Sequence, residues 1–362
     1  MIGYLFAVFS ITALLLRIVL GTILDRYTRK QVFIAGLAGY VLALGIFAGA
    51  TTVAALIGAR LLQGLASTAA WLTAAVLVAD WGGDERAALF GRYQAITVWG
   101  AGMGAVWAGV ASGLLDQETR GVMSRFLSLP AWLPRPWPPL DVLHLVFAGN
   151  ALFAALGLVV ALRIREPRRF TTAREHWYRG LHLLRPLLVV GLFAGVAGGV
   201  ILPVQVLLLN DRFGTGTAGA ILAYAIPGIV YAVAPEPLGR WADRHSHRVG
   251  AAIGLGIPIL TYLLLPFAPS LASAGVLLCI EALGISLSTP ALNALIADRV
   301  PAQRGSAYAL YTMTAGMGSA AGSAAGGWLY GHWTHAAPYL VAAACLAIGV
   351  VWLVTSRTQV GV

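Results

Sequence analysis

Gly21-Thr22-Ile23-Leu24-Asp25-Arg26-Tyr27-Thr28-Arg29-Lys30 separates two long apolar runs. Gly239-Arg240-Trp241-Ala242-Asp243-Arg244-His245-Ser246-His247-Arg248 repeats its outline 218 positions later. The same offset carries Gly36 to Gly254, Asp80 to Asp298, Arg86 to Arg304, Tyr93 to Tyr311, Gly100 to Gly318, Gly104 to Gly322, Gly109 to Gly327 and Gly113 to Gly331 without a gap. Glycine matches are cheap in a chain with 43 of them. Two Asp, an Arg-bearing loop and a Tyr at one offset are not, because the chain holds only 14 acidic residues. A tandem duplication follows.

Working outward, the flanking runs fix the class. Hydrophobic residues make up 59% of the chain, charged residues 10%, and mean hydropathy is +0.81. An ordinary soluble domain is nearer one quarter charged. Runs such as 32–50, 187–209 and 249–268 reach the roughly 20 residues a helix needs to cross about 30 Å of hydrocarbon. They are too rich in Gly and Ala for barrel strands, and lipid offers the backbone no other hydrogen-bond partners, so an all-α polytopic membrane protein is expected. Spans are predicted at 1–20, 32–50, 53–79, 93–115, 142–162, 186–209, 217–236, 249–268, 271–297, 307–331 and 337–355, eleven transmembrane helices in all. The duplication divides them into a first half of five helices over 1–162, a linker at 163–185 and a second half of six helices over 186–362. Moved back by the offset, the helix at 186–209 falls before Met1, so a first helix is expected to be missing. Either the reading frame starts late or the chain is a natural eleven-helix variant. The apolar amino terminus lacks the basic n-region and the small-residue cleavage site of a signal peptide.

Charge sets the expected orientation. The net charge of +10 is not gathered into a patch with interleaved aromatics, so nucleic acid is not an expected partner. Most of the 24 Lys and Arg punctuate the apolar runs, at 26–30, 86–92, 163–185, 240–248 and 299–304, with Arg357 near the end. The alternate loops hold Arg120, Arg125, Arg135 and Arg212. The positive-inside rule makes the first set cytoplasmic, with the carboxyl terminus on that side. In the linker Trp177, Leu181 and Leu184 share a helical face and suit either an inner-leaflet segment or a charged tether. The proline-rich 124–140 stretch reads as an outer loop with Trp132 and Trp137 at the interface. Cys279 and Cys345 fall within spans and read as small apolar residues, with no metal spacing.

Two segments carry a family likeness. Gly21 to Lys30, between the second and third helices of a twelve-helix count, resembles motif A of the major facilitator superfamily. Arg60-Leu-Leu-Gln63-Gly64-Leu-Ala is similar to that family's motif B. The resemblance spans nearly the whole chain and implies two pseudo-symmetric six-helix halves with substrate bound between them at mid-depth. It also implies a monomeric secondary transporter in a bacterial inner membrane. Gly104 is followed by Ala105 and Gly322 by Ser323, where the family's antiporter motif C has Gly-Pro. That departure removes one argument for drug/proton antiport.

Motif A has a physical reading as a latch, made of Gly21, Asp25, Arg26, Arg29 and Lys30, with Gly239, Asp243, Arg244 and Arg248 as its second copy. Asp25 is expected to face the positive amino end of a helix of the other half, the one starting near Ser306, while Arg26, Arg29 and Lys30 stay in water or at lipid phosphates. A tight helix turn obeying the positive-inside rule accounts for the basic residues but not for Asp25. Since Arg29 and Lys30 correspond to His247 and Arg248, the second latch is expected to be the looser.

Within the membrane, a central charge costs about 2.5–3.5 kcal/mol even on lenient insertion scales. Glu281 lies some ten residues into its span, about 15 Å deep at 1.5 Å per residue, and is the leading candidate to load and release a proton. A structural Glu bonded to a neighbouring helix is the alternative. Arg60, Gln63, Ser67 and Trp71 share one helical face that reads as cavity lining. The resemblance gives Arg60 a part in proton coupling or anion binding, and an interhelical anchor is the other option. The offset puts Gln63 opposite Glu281. Arg17 is expected to snorkel to the cytoplasmic surface. Trp99, Trp107, Gln205, Tyr224, Tyr231, Asn293, Tyr308 and Tyr311 complete the candidate lining. Gly100, Gly104 and Ala108, Gly191, Gly195 and Gly199, and Gly318, Gly322 and Gly326 are small-residue ladders for close packing.

The function expected from these residues is proton-coupled export of a small amphipathic solute by alternating access. Uptake of a small metabolite and a non-transporting scaffold or sensor are the alternatives. An enzyme is not expected, because no nucleophile set clusters at membrane depth. No Walker loop or cofactor motif occurs. His332 and His335, with no carboxylate partner, make a weak metal pair.

Overall fold

Long apolar segments with Pro, Ser or Gly at their ends become helices wherever the computed structural model describes the chain, at residues 16–17, 19–25, 28–115, 142–165 and 181–356. The first predicted span, the 124–140 loop, Arg26 and most of the linker lie outside the described residues. After a helical turn at 19–25 come α1 (Arg29–Gly49), α2 (Val53–Trp81), α3 (Arg86–Leu115) and α4 (Val142–Leu162). Then follow α5 (Arg185–Phe213), α6 (Gly216–Val233), α7 (Pro235–His245), α8 (His247–Leu264), α9 (Leu271–Arg299), α10 (Arg304–His332) and α11 (Ala337–Thr355). Among the described residues seven helices are long and apolar enough to cross a membrane.

Local chemistry explains the boundaries. Ser270 and Ser273 form a reciprocal capping box at the start of α9, and Ser246 caps α8. At its far end α5 stops on Gly214, whose φ of 58° is left-handed, with its N–H on the Asn210 carbonyl. Prolines 203, 227, 258 and 290 sit inside α5, α6, α8 and α9. Packed membrane helices tolerate such breaks because neighbours satisfy the freed carbonyls. The short α7, read from the sequence as part of a charged turn between two spans, is an amphipathic, charged helix, and Ser246 separates it from α8.

The chain forms two compact units, one of residues 1–16, 27–74 and 99–166, the other of 17–26, 75–98 and 167–362. In the first, Phe47 of α1 stacks on Phe147 of α4 at 4.8 Å, and Gly36 meets the Ala70 backbone of α2. In the second, two of the expected ladders turn out to be the two sides of one interface. A β-carbon at Gly195 would lie 2.1 Å from the Ala315 carbonyl oxygen, and one at Gly322 would lie 2.2 Å from that of Val196. Backbones at that distance exchange close van der Waals contact that any larger residue forbids. The third ladder differs. Gly100 has nothing within 4 Å among the described residues, and a β-carbon at Gly104 would reach only Asn150 Oδ1, at 3.8 Å. Gly318 and Gly322, by contrast, pack closely on α5.

Candidate functional site

Two sets of contacts at the charged end of the second unit are related by the sequence offset. The free N–H groups of the first turn of α10 point at Asp25: Gly305 N donates to Oδ1 at 2.8 Å, Ser306 N to Oδ2 at 3.1 Å, and Ser306 Oγ to Oδ2 at 2.6 Å. The first turn of α3 does the same for Asp243, with Ala87 N on Oδ1 and Ala88 N on Oδ2, both at 2.8 Å. A carboxylate here answers both the orphan donors of a helix start and the positive end of its dipole. Glycine makes the approach possible. A β-carbon at Gly21 would sit 2.7 Å from that of Ala309, and one at Gly239 2.3 Å from the Ala87 carbonyl oxygen.

Crossed ion pairs flank both sets of contacts. Arg304 Nη1 lies 2.7 Å from Asp80 Oδ1, with both side chains 9% exposed. Its offset partner Arg86 pairs with Asp298, whose side chain is 36% exposed. Each Arg also donates Nε to a carbonyl at the end of the preceding helix, Ala79 for Arg86 and Ala297 for Arg304. These four residues belong to the offset set, but their pairing needed the structure.

The basic residues of the motif make bonds that the sequence did not suggest. Lys30 Nζ, in an exposed contact, donates to the Leu162 carbonyl at 2.8 Å. Arg248 does the same at the end of α11, with Nε on Leu353 O and Nη2 on Val354 O, both at 2.9 Å. Both neutralise the negative end of a helix. Arg244 is exposed and Arg29 half-buried. The looseness expected of the second latch is not visible in its contacts. His247 adds to it, with Nε2 on Asp243 Oδ1 at 2.8 Å and Nδ1 on Asp298 Oδ2 at 2.7 Å. Ionised carboxylates only accept, so the ring makes both bonds when doubly protonated. Nearby, Arg92 bonds Glu236 at 2.7 and 3.2 Å and, as the main cause, holds its carboxyl below the usual carboxylate range.

Deeper in the same unit, Glu281 is 7% exposed and has both oxygens occupied. Gln205 Nε2 of α5 donates to Oε2 and the Tyr262 hydroxyl of α8 to Oε1, each at 2.9 Å. Tyr224 and Tyr231 of α6 and Tyr339 of α11 lie within its electrostatic reach. Beside this cluster is a cavity of about 270 Å³ among α5, α8, α9, α10 and α11. Asn293 and Tyr311, both expected as lining, are in its wall, with Ser288, Thr289, Pro258 and Tyr262. Glu281 is not. Tyr262 was missed because a lone aromatic in an apolar helix carries no signal that separates it from core packing.

In the first unit Arg60 Nη1 donates to Gln63 Oε1 at 2.8 Å, and the guanidinium stands 5.1 Å from the centre of the Phe47 ring. Ser67 is buried and bonds back to the Gly64 carbonyl, whereas Trp71 is exposed. The face is thus a bonded Arg–Gln pair followed by residues pointing to different environments. Trp107 is packing, its indole N–H on the Val146 carbonyl and its ring against Gly149. Tyr308 is core, fully buried with its hydroxyl on the Asn293 backbone carbonyl. Trp99 is exposed. Arg17 also departs from expectation. Its Nη1 donates to the Thr312 carbonyl at 2.6 Å beside Gly316, whose missing side chain leaves room for a guanidinium.

With this geometry established, comparison with known proteins is informative. A family model described as Major Facilitator Superfamily matches residues 1–185 and 187–361. Tetracycline resistance protein, class C, of Escherichia coli is 26% identical over 311 residues, covering 82% of this chain and 72% of that protein. Multidrug resistance protein MdtH of Klebsiella pneumoniae (strain 342) is 28% identical over 225 residues, 60% of this chain. The chain spans about half, 54%, of that relative's length. Among solved structures, the E. coli fucose:proton symporter FucP superposes with a TM-score of 0.79 at 13% identity, covering 97% of this chain and 89% of that one. A bacterial homologue of the iron transporter ferroportin in its outward-facing state gives 0.68 at 16% identity, over 97% and 89%. These likenesses establish the all-helical fold.

Proposed function

Because this chain belongs to the major facilitator superfamily, and is therefore a multi-pass membrane transporter, we propose that it exports a small, uncharged or weakly charged amphipathic solute in exchange for protons. The observation that carries the substrate class is the wall of the cavity. Ala, Leu, Ile and Pro side chains dominate it, and Tyr262, Ser288, Thr289, Asn293 and Tyr311 add only neutral hydroxyl and amide groups. Such a surface desolvates apolar groups at little cost and orients a solute by a few hydrogen bonds, while offering no counter-charge to an ion. Resistance proteins among the relatives support the outward direction. Glu281 is the proton carrier on this reading, and the two Asp latches close the charged end, taken as cytoplasmic with the carboxyl terminus, while the cavity communicates with the other side. The protein works in the inner membrane of a bacterium as two halves, 1–162 and 186–362, joined by 163–185.

Everted vesicles test the reading. With the lumen acidified, tetracycline, ethidium or another member of an amphipathic panel is expected to release lumenal protons, and Glu281→Gln to abolish that release. Solute-dependent proton entry into the lumen, or full pH-driven transport by Glu281→Gln, contradicts it.

A further inference from the structure

We propose that Tyr262 is the positioning residue that makes proton binding at Glu281 and solute binding in the cavity mutually exclusive. The inference rests on the exchange reading above and supplies its mechanism. Four observations meet at this tyrosine. Its hydroxyl occupies Glu281 Oε1 at 2.9 Å, and Gln205 occupies the other oxygen. Glu281 is absent from the cavity wall, whereas Tyr262 is part of it, so the phenol stands between carboxyl and cavity. One turn earlier, Pro258 interrupts the α8 hydrogen-bond ladder, and Thr261 Oγ1 folds back onto the Pro258 carbonyl. Before that break α8 is fixed: a β-carbon at Gly254 would lie 2.7 Å from the Gly284 carbonyl oxygen of α9. A bend that moves the segment carrying Tyr262 would therefore fall at Pro258.

The consequence is an interlock. A donor on a carboxylate oxygen favours the ionised form over the acid. Proton loading from the cavity side requires the Tyr262 hydroxyl to leave Oε1, and the cavity beside it is the space the ring moves into. A solute filling that space pins the ring against Glu281 and keeps it ionised. An empty cavity lets the ring swing and a proton reach the carboxyl. Tyr224, Tyr231 and Tyr339 are the other titratable groups facing Glu281, and no charged side chain within the described residues bonds to it.

The test needs no known solute. Dicyclohexylcarbodiimide, an apolar reagent for protonated carboxyls, is titrated against pH on the purified protein, and modification of Glu281 is read by mass spectrometry. Tyr262→Phe keeps the ring and loses the donor, and is expected to raise labelling at neutral pH several-fold and to move the pH midpoint up by about one unit. Gly198→Leu fills the cavity from α5, where a β-carbon meets nothing within 4 Å, and is expected to lower labelling several-fold. The double variant is expected to follow Tyr262→Phe, since without the hydroxyl the pinned ring protects nothing. Tyr339→Phe, which removes a buried hydroxyl from the same cluster, is expected to leave the midpoint in place. Wild-type labelling in Tyr262→Phe, a shift of equal size in Tyr339→Phe, or unchanged labelling in Gly198→Leu overturns the proposal. If the labelling pattern holds but vesicles show no solute-driven proton release, it is the exchange reading that fails.

Discussion

The proposed latches at Asp25 and at Asp243 use the same backbone device and different side chains. Each carboxylate takes the first-turn N–H groups of a helix 218 positions away from the other's target, Gly305 and Ser306 in one case, Ala87 and Ala88 in the other. The first adds the Ser306 hydroxyl, which does not titrate in the biological range. The second adds His247, shared with Asp298, which does. The bracing is unequal in the opposite sense. Arg304 and Asp80, beside the Asp25 latch, are nearly buried, while Asp298, on the Asp243 side, is partly exposed. The two contacts related by the sequence offset thus share their backbone chemistry and differ in their side chains, one adding a hydroxyl and the other a titratable imidazole.

That difference predicts a ranking. Arg304→Ala is expected to have the largest effect, about 3–5 kcal/mol of stability, because it takes a charged partner from a carboxylate that is only 9% exposed. Arg86→Ala, whose partner Asp298 keeps access to water, is expected to cost about 1 kcal/mol. Thermal unfolding of the two variants in one detergent checks the difference, and equal losses would break the comparison. Next come Asp25→Asn and Asp243→Asn, each expected to reduce pH-driven transport about tenfold by weakening charge-assisted bonds to a helix start. Transport in proteoliposomes reads both.

The third prediction is pH-dependent. Losing a proton from His247 removes one of its two donated bonds, so the Asp243 latch is full at low pH and weakens as pH rises through the titration of that ring. Amide exchange at Ala87 and Ala88, corrected for intrinsic rate, is expected to speed up several-fold on that rise, and exchange at Gly305 and Ser306 to rise with it, because both contacts close the same end. His247→Gln is expected to abolish the pH dependence at both pairs. Smallest is Glu236→Gln at the exposed Arg92 pair, which has no counterpart at the offset. Arg92 depresses the Glu236 carboxyl, so the contact is present above the ordinary carboxylate range and is lost only as pH falls through the depressed value. No change in melting temperature is expected between pH 6 and 9, and a measurable one would show the contact to be part of the gate.

How legible this was in the sequence depended on the kind of signal. Helix cores were legible because hydrocarbon demands about 20 apolar residues at a time, and the ends of α4 and α11 agree with the predicted spans. The placement of Asp25 against the helix start near Ser306 was legible because an acidic residue in a basic turn has few stable partners. Partner choice among equals was not. Asp80, Arg86, Asp298 and Arg304 all appeared in the offset set, yet only three dimensions show that the pairs cross. The ladder at Gly191 and the ladder at Gly318 read alike, and nothing in either says that they meet. Arg17 misled because a side chain long enough to reach the surface also reaches a carbonyl, and the space beside Gly316 decided between them. Glu281 stood out by charge, whereas the Tyr262 that guards it looks like any other aromatic of the core.

The proposed function makes the two latches parts of one gate that open and close together. Amide exchange at Gly305, Ser306, Ala87 and Ala88 in Asp25→Asn tests this most directly. The prediction is loss of protection at all four amides, the distant pair included. Loss confined to Gly305 and Ser306, with Ala87 and Ala88 as slow as in the unmodified protein, would contradict it.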